Sequence, residues 1–528
     1  MTFPSVRKLG GWLHTRAWPV DSVLLTAMAV GLLVRVWNFG DIPPGLNQDE
    51  ASTAYDAYAL IHHGIDRHGY RLPIMLVSWG SGMYVLAAYV AAPFIGVFGL
   101  SVWSARLPFL LAGMAALPMF FVLLRDTTNL QTARIGVVLL SLCPWHIMIS
   151  RWGLDSNLFP LVFLLATLLL QRSTKRPRLL VAAAFVYGLA LYAYGTAYVV
   201  VPAFIGLALV YGLRHRLWPL RTIILSAVVL VAVATPIGLY LAVNSFGWNS
   251  IRTPFFSIPR LTGLPRFKTM GNFNLLSVEF ARQAWANLGT AADMFRQQDD
   301  GLIWNAIPGY GILYVFSPFL ALAGLALLLG KNLSRAYQPS FVILAWSLAS
   351  VLLMGFVSAN INRANIAMLP FIYCVAIAIS LLWRHRALAV LMCLLVGASF
   401  IGFAGSYFGP YRAAAAEPFF ASFGEAIRYA VTQTPGEVCV TDKVNMPYIF
   451  VLFYNREDPR VFNQTAQFAN PGAEFESVSS FGRYKFGLGS CANSAAVIVA
   501  THAEATNFLP ERFATKDFDR YTVLVRRE

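Results

Sequence analysis

The sequence predicts an all-α polytopic membrane protein that carries a small α/β domain at its C-terminal end. Three observations carry that prediction. Of 528 residues, 57% are hydrophobic and only 12% charged, about half the charge of a soluble domain. Apolar runs near the roughly 20 residues that a bilayer requires recur as far as Phe403. Beyond Gly405 the pattern changes to short amphipathic and alternating segments. The net charge of +15 sits mostly in short loops between apolar runs, as membrane topology demands. No nucleic-acid-binding motif occurs, so nucleic acid is not expected as a partner.

The first element is an apolar run from Val20 to Val36 that follows Arg7, Lys8 and Arg16. It lacks a small-x-small cleavage site and is read as an uncleaved first span. Further spans are expected near 105–124, 135–149, 158–170, 179–194, 198–213, 223–243, 309–329, 341–357, 364–382 and 388–405. Together these make about eleven crossings. The basic loops 125–134, 172–178, 214–221, 331–335 and 383–386 fall on the cytoplasmic side. The segment 82–100 is apolar but must not cross, or every later basic loop would change sides. Gly82, Pro93, Gly96 and Gly99 suit an interrupted helix lying along the outer surface. The N-terminus is then cytoplasmic and the C-terminal domain extracytoplasmic.

The expected domains are 1–405, membrane and catalytic, and 406–528, outer α/β. The first outer loop is 39–104 and a long one is 244–304, with a helix expected from Leu276 to Arg296. In the last domain, Phe423 to Val431 reads as an amphipathic helix, and segments at 437–440, 495–500 and 520–525 read as strands. Of five cysteines, Cys439 and Cys491 are the pair in that domain and are candidates for a disulfide on an oxidising face.

Candidate chemistry collects on the outer side. Asp49 and Glu50 open the first loop and have two readings, as working carboxylates or as caps of a helix from Ala51 to His62. The same loop carries Tyr55 and Trp79, aromatic faces suited to sugar rings or to the interface. Ser150-Arg151-Trp152-Gly153-Leu154-Asp155-Ser156-Asn157 lies between two spans, with an Arg151–Asp155 ion pair as the plainer alternative. Asn362-Arg363 opens a late span, where an arginine can meet a lipid phosphate or snorkel to the headgroups. Arg106 opens another and shares both readings. His62, His63 and His68 form no metal signature, and there is no P-loop. No cofactor is expected; a divalent metal is not favoured.

The order of these features resembles the GT-C glycosyltransferases. Within them it is similar to bacterial members of the protein mannosyltransferase and aminoarabinose transferase family, glycosyltransferase family 39. Asp49-Glu50-Ala51, Tyr55-Asp56-Ala57-Tyr58, Pro144-Trp145-His146 and Ser150-Arg151-Trp152-Gly153 carry the likeness. It implies a polyprenyl-phosphate sugar donor, an acceptor that is lipid, glycan or protein, and inverting transfer outside the bacterial inner membrane. It gives Asp49 the part of base, with Glu50 and Asp155 as companion acids. Arg363, Arg106 and Arg151 would hold the donor phosphate, and Tyr55, Asn362 and Trp79 would contact substrate. Many members carry Lys-Pro-Pro or His-Pro-Pro in the first loop; here Ser78-Trp79-Gly80-Ser81-Gly82 stands nearest. The rival reading is a transporter or flippase of lipid-linked sugars, which would show paired broken helices in matching halves; none are seen.

Overall fold

The computed structural model describes residues 21–265, 277–333 and 336–527. Arg7, Lys8, Arg16, Leu276 and Arg335 lie outside the described residues. The helices that follow are α1 Ser22–Val36, α2 Gln48–His63, α3 Leu86–Phe98, α4 Val102–Thr127, α5 Leu130–Leu142, α6 Pro144–Ile149, α7 Phe159–Ser173, α8 Arg178–Ala190, α9 Ala197–Arg214 and α10 Leu220–Phe246. After them come α11 Val278–Gln297, α12 Ser317–Asn332, α13 Phe341–Phe356, α14 Ile361–Leu382 and α15 Arg386–Phe408. Among the described residues six helices, counting the turn Asp155–Leu158 with α7, are long and apolar enough to cross a membrane, and six shorter apolar helices accompany them. Each expected span falls on one of these twelve. The remaining one is α3, the 13-residue helix read as not crossing.

Three expected spans differ in detail. The run 135–149 is two helices, because Pro144 drives Cys143 out of helical geometry (φ −66°, ψ 120°) and ends α5. Ahead of α7 a 3-10 turn, Asp155–Leu158, replaces regular helix. The run 309–329 becomes helical only at Ser317; Gly309, Gly311 and Tyr314 adopt positive φ and hold the chain in turns before it. Helix α14 is the central post. Of its most apolar window 72% is buried, against 11% for α10 and α15 at the periphery. At Gly324 of α12 an added methyl would strike the Cys374 backbone carbonyl of α14, so those two helices touch backbone to backbone.

The C-terminal domain adds α16 Phe423–Gln433 and α17 Pro447–Asn455 to a seven-stranded sheet. Its strands are β1 Val438–Val440, β2 Gln467–Phe468, β3 Val478–Phe481, β4 Tyr484–Phe486, β5 Val497–Thr501, β6 Phe513–Asp517 and β7 Tyr521–Arg526, in the order β6-β7-β5-β1-β4-β3-β2. The three strands and one helix expected from sequence are β1, β5, β7 and α16. Strand β1 runs parallel to both neighbours, and the other pairs are antiparallel. Cys439 on β1 and Cys491 are joined, their Cα atoms 5.6 Å apart.

This domain is not a detached appendage. Its main core, with Phe423, Ile427, Ile449 and Val499, is continuous with Ala51, Ala54 and Tyr55 of α2 and Ala88 and Ala91 of α3. Small residues almost all round α2 let α17 and α3 close against it.

Candidate active site

Asn47 caps α2 in an extended conformation, and Glu50 reaches back to its amide, completing a capping box. The capping alternative therefore describes Glu50. Its side chain is 1% exposed. Oε1 accepts from Arg106 Nε (2.9 Å) and the Gly153 amide (2.6 Å), and Oε2 from Arg106 Nη2 (2.9 Å) and the Asn47 amide (3.2 Å). A carboxylate enclosed by four donors has nothing left for substrate. The expected catalytic part for Glu50 is corrected: it ties α2, α4 and the 150–157 loop together. A Cβ at Gly153 would be tight against Phe109 at 3.1 Å and in ordinary contact with Glu50 at 3.5 Å.

Asp49, one residue earlier, is half-buried. Oδ1 accepts from the Trp79 indole at 3.0 Å, and Oδ2 has no hydrogen-bond partner among the described residues. Trp79 is 1% exposed, with the Arg67 guanidinium 5.2 Å from its centroid and the Tyr448 ring 6.0 Å away. It cannot serve as a stacking platform for a sugar, as expected from sequence, because both neighbours cover it. Tyr55 is likewise corrected. It is fully buried, and its hydroxyl donates to the Glu457 carbonyl at 2.6 Å, which docks the C-terminal domain.

Arg106 and Arg151 were expected at the donor phosphate, yet both are wholly buried. Arg106 spends its five N–H groups on Glu50 and on the carbonyls of Gly40, Pro43 and Gly45. Arg151 spends its own on the carbonyls of Val34, Arg35, Asn38 and Ile42. Arg35, which sequence reading missed, is also wholly buried and bonded through all three nitrogens to Gly31, Leu140, Ser141, His146 and Ser150. These three arginines fasten the end of α1 and the 38–45 shelf that leads into α2.

Asp155 starts the 3-10 turn, is 5% exposed, and accepts from the Ser156 amide at 2.7 Å. The next two residues meet α14: Asn365 Nδ2 faces the Ser156 carbonyl and the Asn157 side-chain oxygen at 3.4 Å each. Asn365 Oδ1 accepts from Trp145 at 2.8 Å. Two residues before Asn365 stands Arg363, half-buried in the first turn of α14. Its Nη1 donates to the Ser358 carbonyl at 3.0 Å, and its remaining N–H groups are uncommitted among the described residues. The Asn362 side-chain oxygen is shielded from solvent and accepts no hydrogen bond among the described residues. The long outer loop caps the same helix, since Asp300 accepts from the Ile361 amide at 2.8 Å. Asp49, Asp155 and Arg363 are thus linked by one chain of contacts, Glu50 to Gly153 and Ser156 to Asn365.

A buried polar cluster lies behind Trp79. Arg67 is paired with Asp56 at 2.9 Å and hydrogen-bonded to Ser52, both on α2. Burial, and next the Asp56 charge, push Asp66 up to about 8. Burial, helped by Arg67, pushes His68 down to about 3, so it stays neutral. No group of His, Cys, Asp and Glu among the described residues could hold a metal.

Residues 69–240, a third of the chain, match the family model of dolichyl-phosphate-mannose-protein mannosyltransferases. The structure of ArnT from Cupriavidus metallidurans bound to undecaprenyl phosphate superposes over 95% of this chain and 97% of its own, at TM-score 0.57 and 15% identity. This chain has the GT-C fold. The apo form of that ArnT gives TM-score 0.55 and 16% identity over the same shares. Among curated proteins none matches in sequence. The stretch matched by the family model contains Trp79, Arg106, Arg151 and Asp155, while Asp49 and Arg363 lie outside it and rest on the geometry above.

Proposed function

We propose that this protein is an inverting glycosyltransferase that moves a sugar from a polyprenyl-phosphate donor to an acceptor hydroxyl or amine outside the cytoplasm. One observation carries the reading. Of two adjacent acids at the start of α2, one is sealed into the scaffold and the other keeps an oxygen open. That division suits a general base held on a rigid shelf. Asp49 Oδ2 takes the acceptor proton as the acceptor attacks the anomeric carbon. The new bond forms on the face opposite the breaking carbon–oxygen bond, whose electron pair leaves with the polyprenyl phosphate. Arg363 steadies that phosphate with its uncommitted N–H groups, Asn362 offers its oxygen to a sugar hydroxyl, and Asp155 orients sugar or acceptor. Relatives' ligands support the donor class: the superposed ArnT is bound to undecaprenyl phosphate.

The orientation follows from the basic loops, which the positive-inside rule places in the cytoplasm together with the N-terminus. The joined Cys439 and Cys491 suit an oxidising outer compartment of a bacterial inner membrane. Purified full-length protein given undecaprenyl-phosphate mannose, glucose or aminoarabinose, with cell-envelope membranes as acceptor, releases undecaprenyl phosphate from one of them. Movement of intact donor across vesicles with no release would overturn the reading in favour of a flippase.

A further inference from the structure

We propose that Trp79 is the positioning residue of Asp49 and that the C-terminal domain is the clamp that holds Trp79. The inference rests on the part given to Asp49 above and assigns that domain a task in catalysis. The indole N–H points at Asp49 Oδ1 at 3.0 Å, so it fixes one carboxylate oxygen and leaves the other for the acceptor. A half-buried aspartate in a first helical turn can still sample more than one rotamer; a single directed donor selects one.

That selection works only if the indole cannot swing, and four contacts hold it. Arg67 lies over the ring at 5.2 Å and is itself anchored to Asp56 and Ser52 on α2, the helix that carries Asp49. Cation and carboxylate therefore share one rigid frame. The other three contacts come from the C-terminal domain or through it. Tyr448 of α17 meets the indole edge-on at 82° and is stacked on Phe462 at 5.3 Å and 10°. The Glu476 amide donates to the Trp79 carbonyl at 2.8 Å. Gly80, at φ +89°, lies against the buried Glu476 side chain, where a Cβ would sit 2.7 Å from the carboxyl carbon. Nothing in this arrangement needs Trp79 to touch substrate, and its burial prevents it.

The test uses full-length protein in detergent and the undecaprenyl-phosphate sugar that the wild type turns over, scored as undecaprenyl phosphate released. Trp79→Phe keeps the ring and deletes the N–H. Tyr448→Phe keeps the clamping ring, and Tyr448→Leu removes it. Trp79→Phe is expected to lower kcat about tenfold, the scale of a hydrogen bond to a charged group, with KM within about twofold. Tyr448→Leu follows it, and Tyr448→Phe stays at the wild-type rate. Added to Asp49→Asn, Trp79→Phe causes no further loss, because it acts through the missing carboxylate. A wild-type kcat for both Trp79→Phe and Tyr448→Leu, or losses that multiply in the double variant, would overturn the proposal while Asp49 stands. Full turnover by Asp49→Asn alone would instead remove the base itself. Should Trp79→Phe fail to fold, the contrast between the two Tyr448 variants decides the matter.

Discussion

Replacing Asp49 with Asn keeps the indole hydrogen bond, since an amide oxygen accepts as well, but removes the proton acceptor. Turnover is expected to fall on the order of 10²- to 10⁴-fold, with the melting temperature unchanged in a detergent thermal shift. Arg106→Lys tests the opposite kind of residue. A lysine cannot bridge Glu50 in two places and three carbonyls besides, so a buried charge is left poorly matched. The expected cost is roughly 3–5 kcal/mol, read as a large drop in melting temperature or failure to accumulate. The adjacency of Asp49 and Glu50 was legible in the sequence; their division of labour was not. It depends on Arg106 and on the Gly153 amide, 56 and 103 positions away. Arg106 and Arg151 misled for a related reason. Their partners are mostly main-chain carbonyls, which every residue owns and no motif announces.

At the scale of elements, the tightest constraint is the α12–α14 contact. Gly324→Ala places a methyl on the Cys374 backbone, which cannot rotate away as a side chain would. Overpacking of this sort costs about 1–3 kcal/mol or more, and the variant is expected to unfold at lower temperature while an alanine at the open Gly330 has little effect. Apolar length and basic loops made nearly every helix readable, because lipid punishes any other arrangement of unpaired backbone. The breaks were harder to see. Cys143-Pro144 could be recognised from the proline, yet the delayed start of α12 comes from three positive-φ residues that lie inside an apolar run. Strands β2, β3, β4 and β6 escaped notice because they are two to five residues long and owe their shape to neighbours in the sheet.

Across the whole molecule, a polar joint ties the first outer loop to the C-terminal domain, and within that loop burial raises the Asp66 carboxyl to about 8. Folded, Asp66 keeps its proton up to about pH 8, whereas unfolded it releases it near 3.8. The folded state thus binds the extra proton between those values, so stability falls as pH rises through that window. Asp66→Asn is neutral throughout and can retain the bonds from the His68 and Tyr70 amides. Relative to the wild type it is expected to gain melting temperature steadily as pH rises from about 4 to 8; a constant difference across that range would exclude a buried proton there. Sequence alone gave no sign of this joint, since Tyr55 and Glu457 are separated by 402 positions. That separation has a consequence for biogenesis. The segment bearing Asp49 is synthesised well before Tyr448 and Glu476, the residues proposed to brace its partner Trp79. Until the C-terminal domain has folded, the indole proposed to orient Asp49 has only its Arg67 contact, so the proposed activity is expected to arise late in folding.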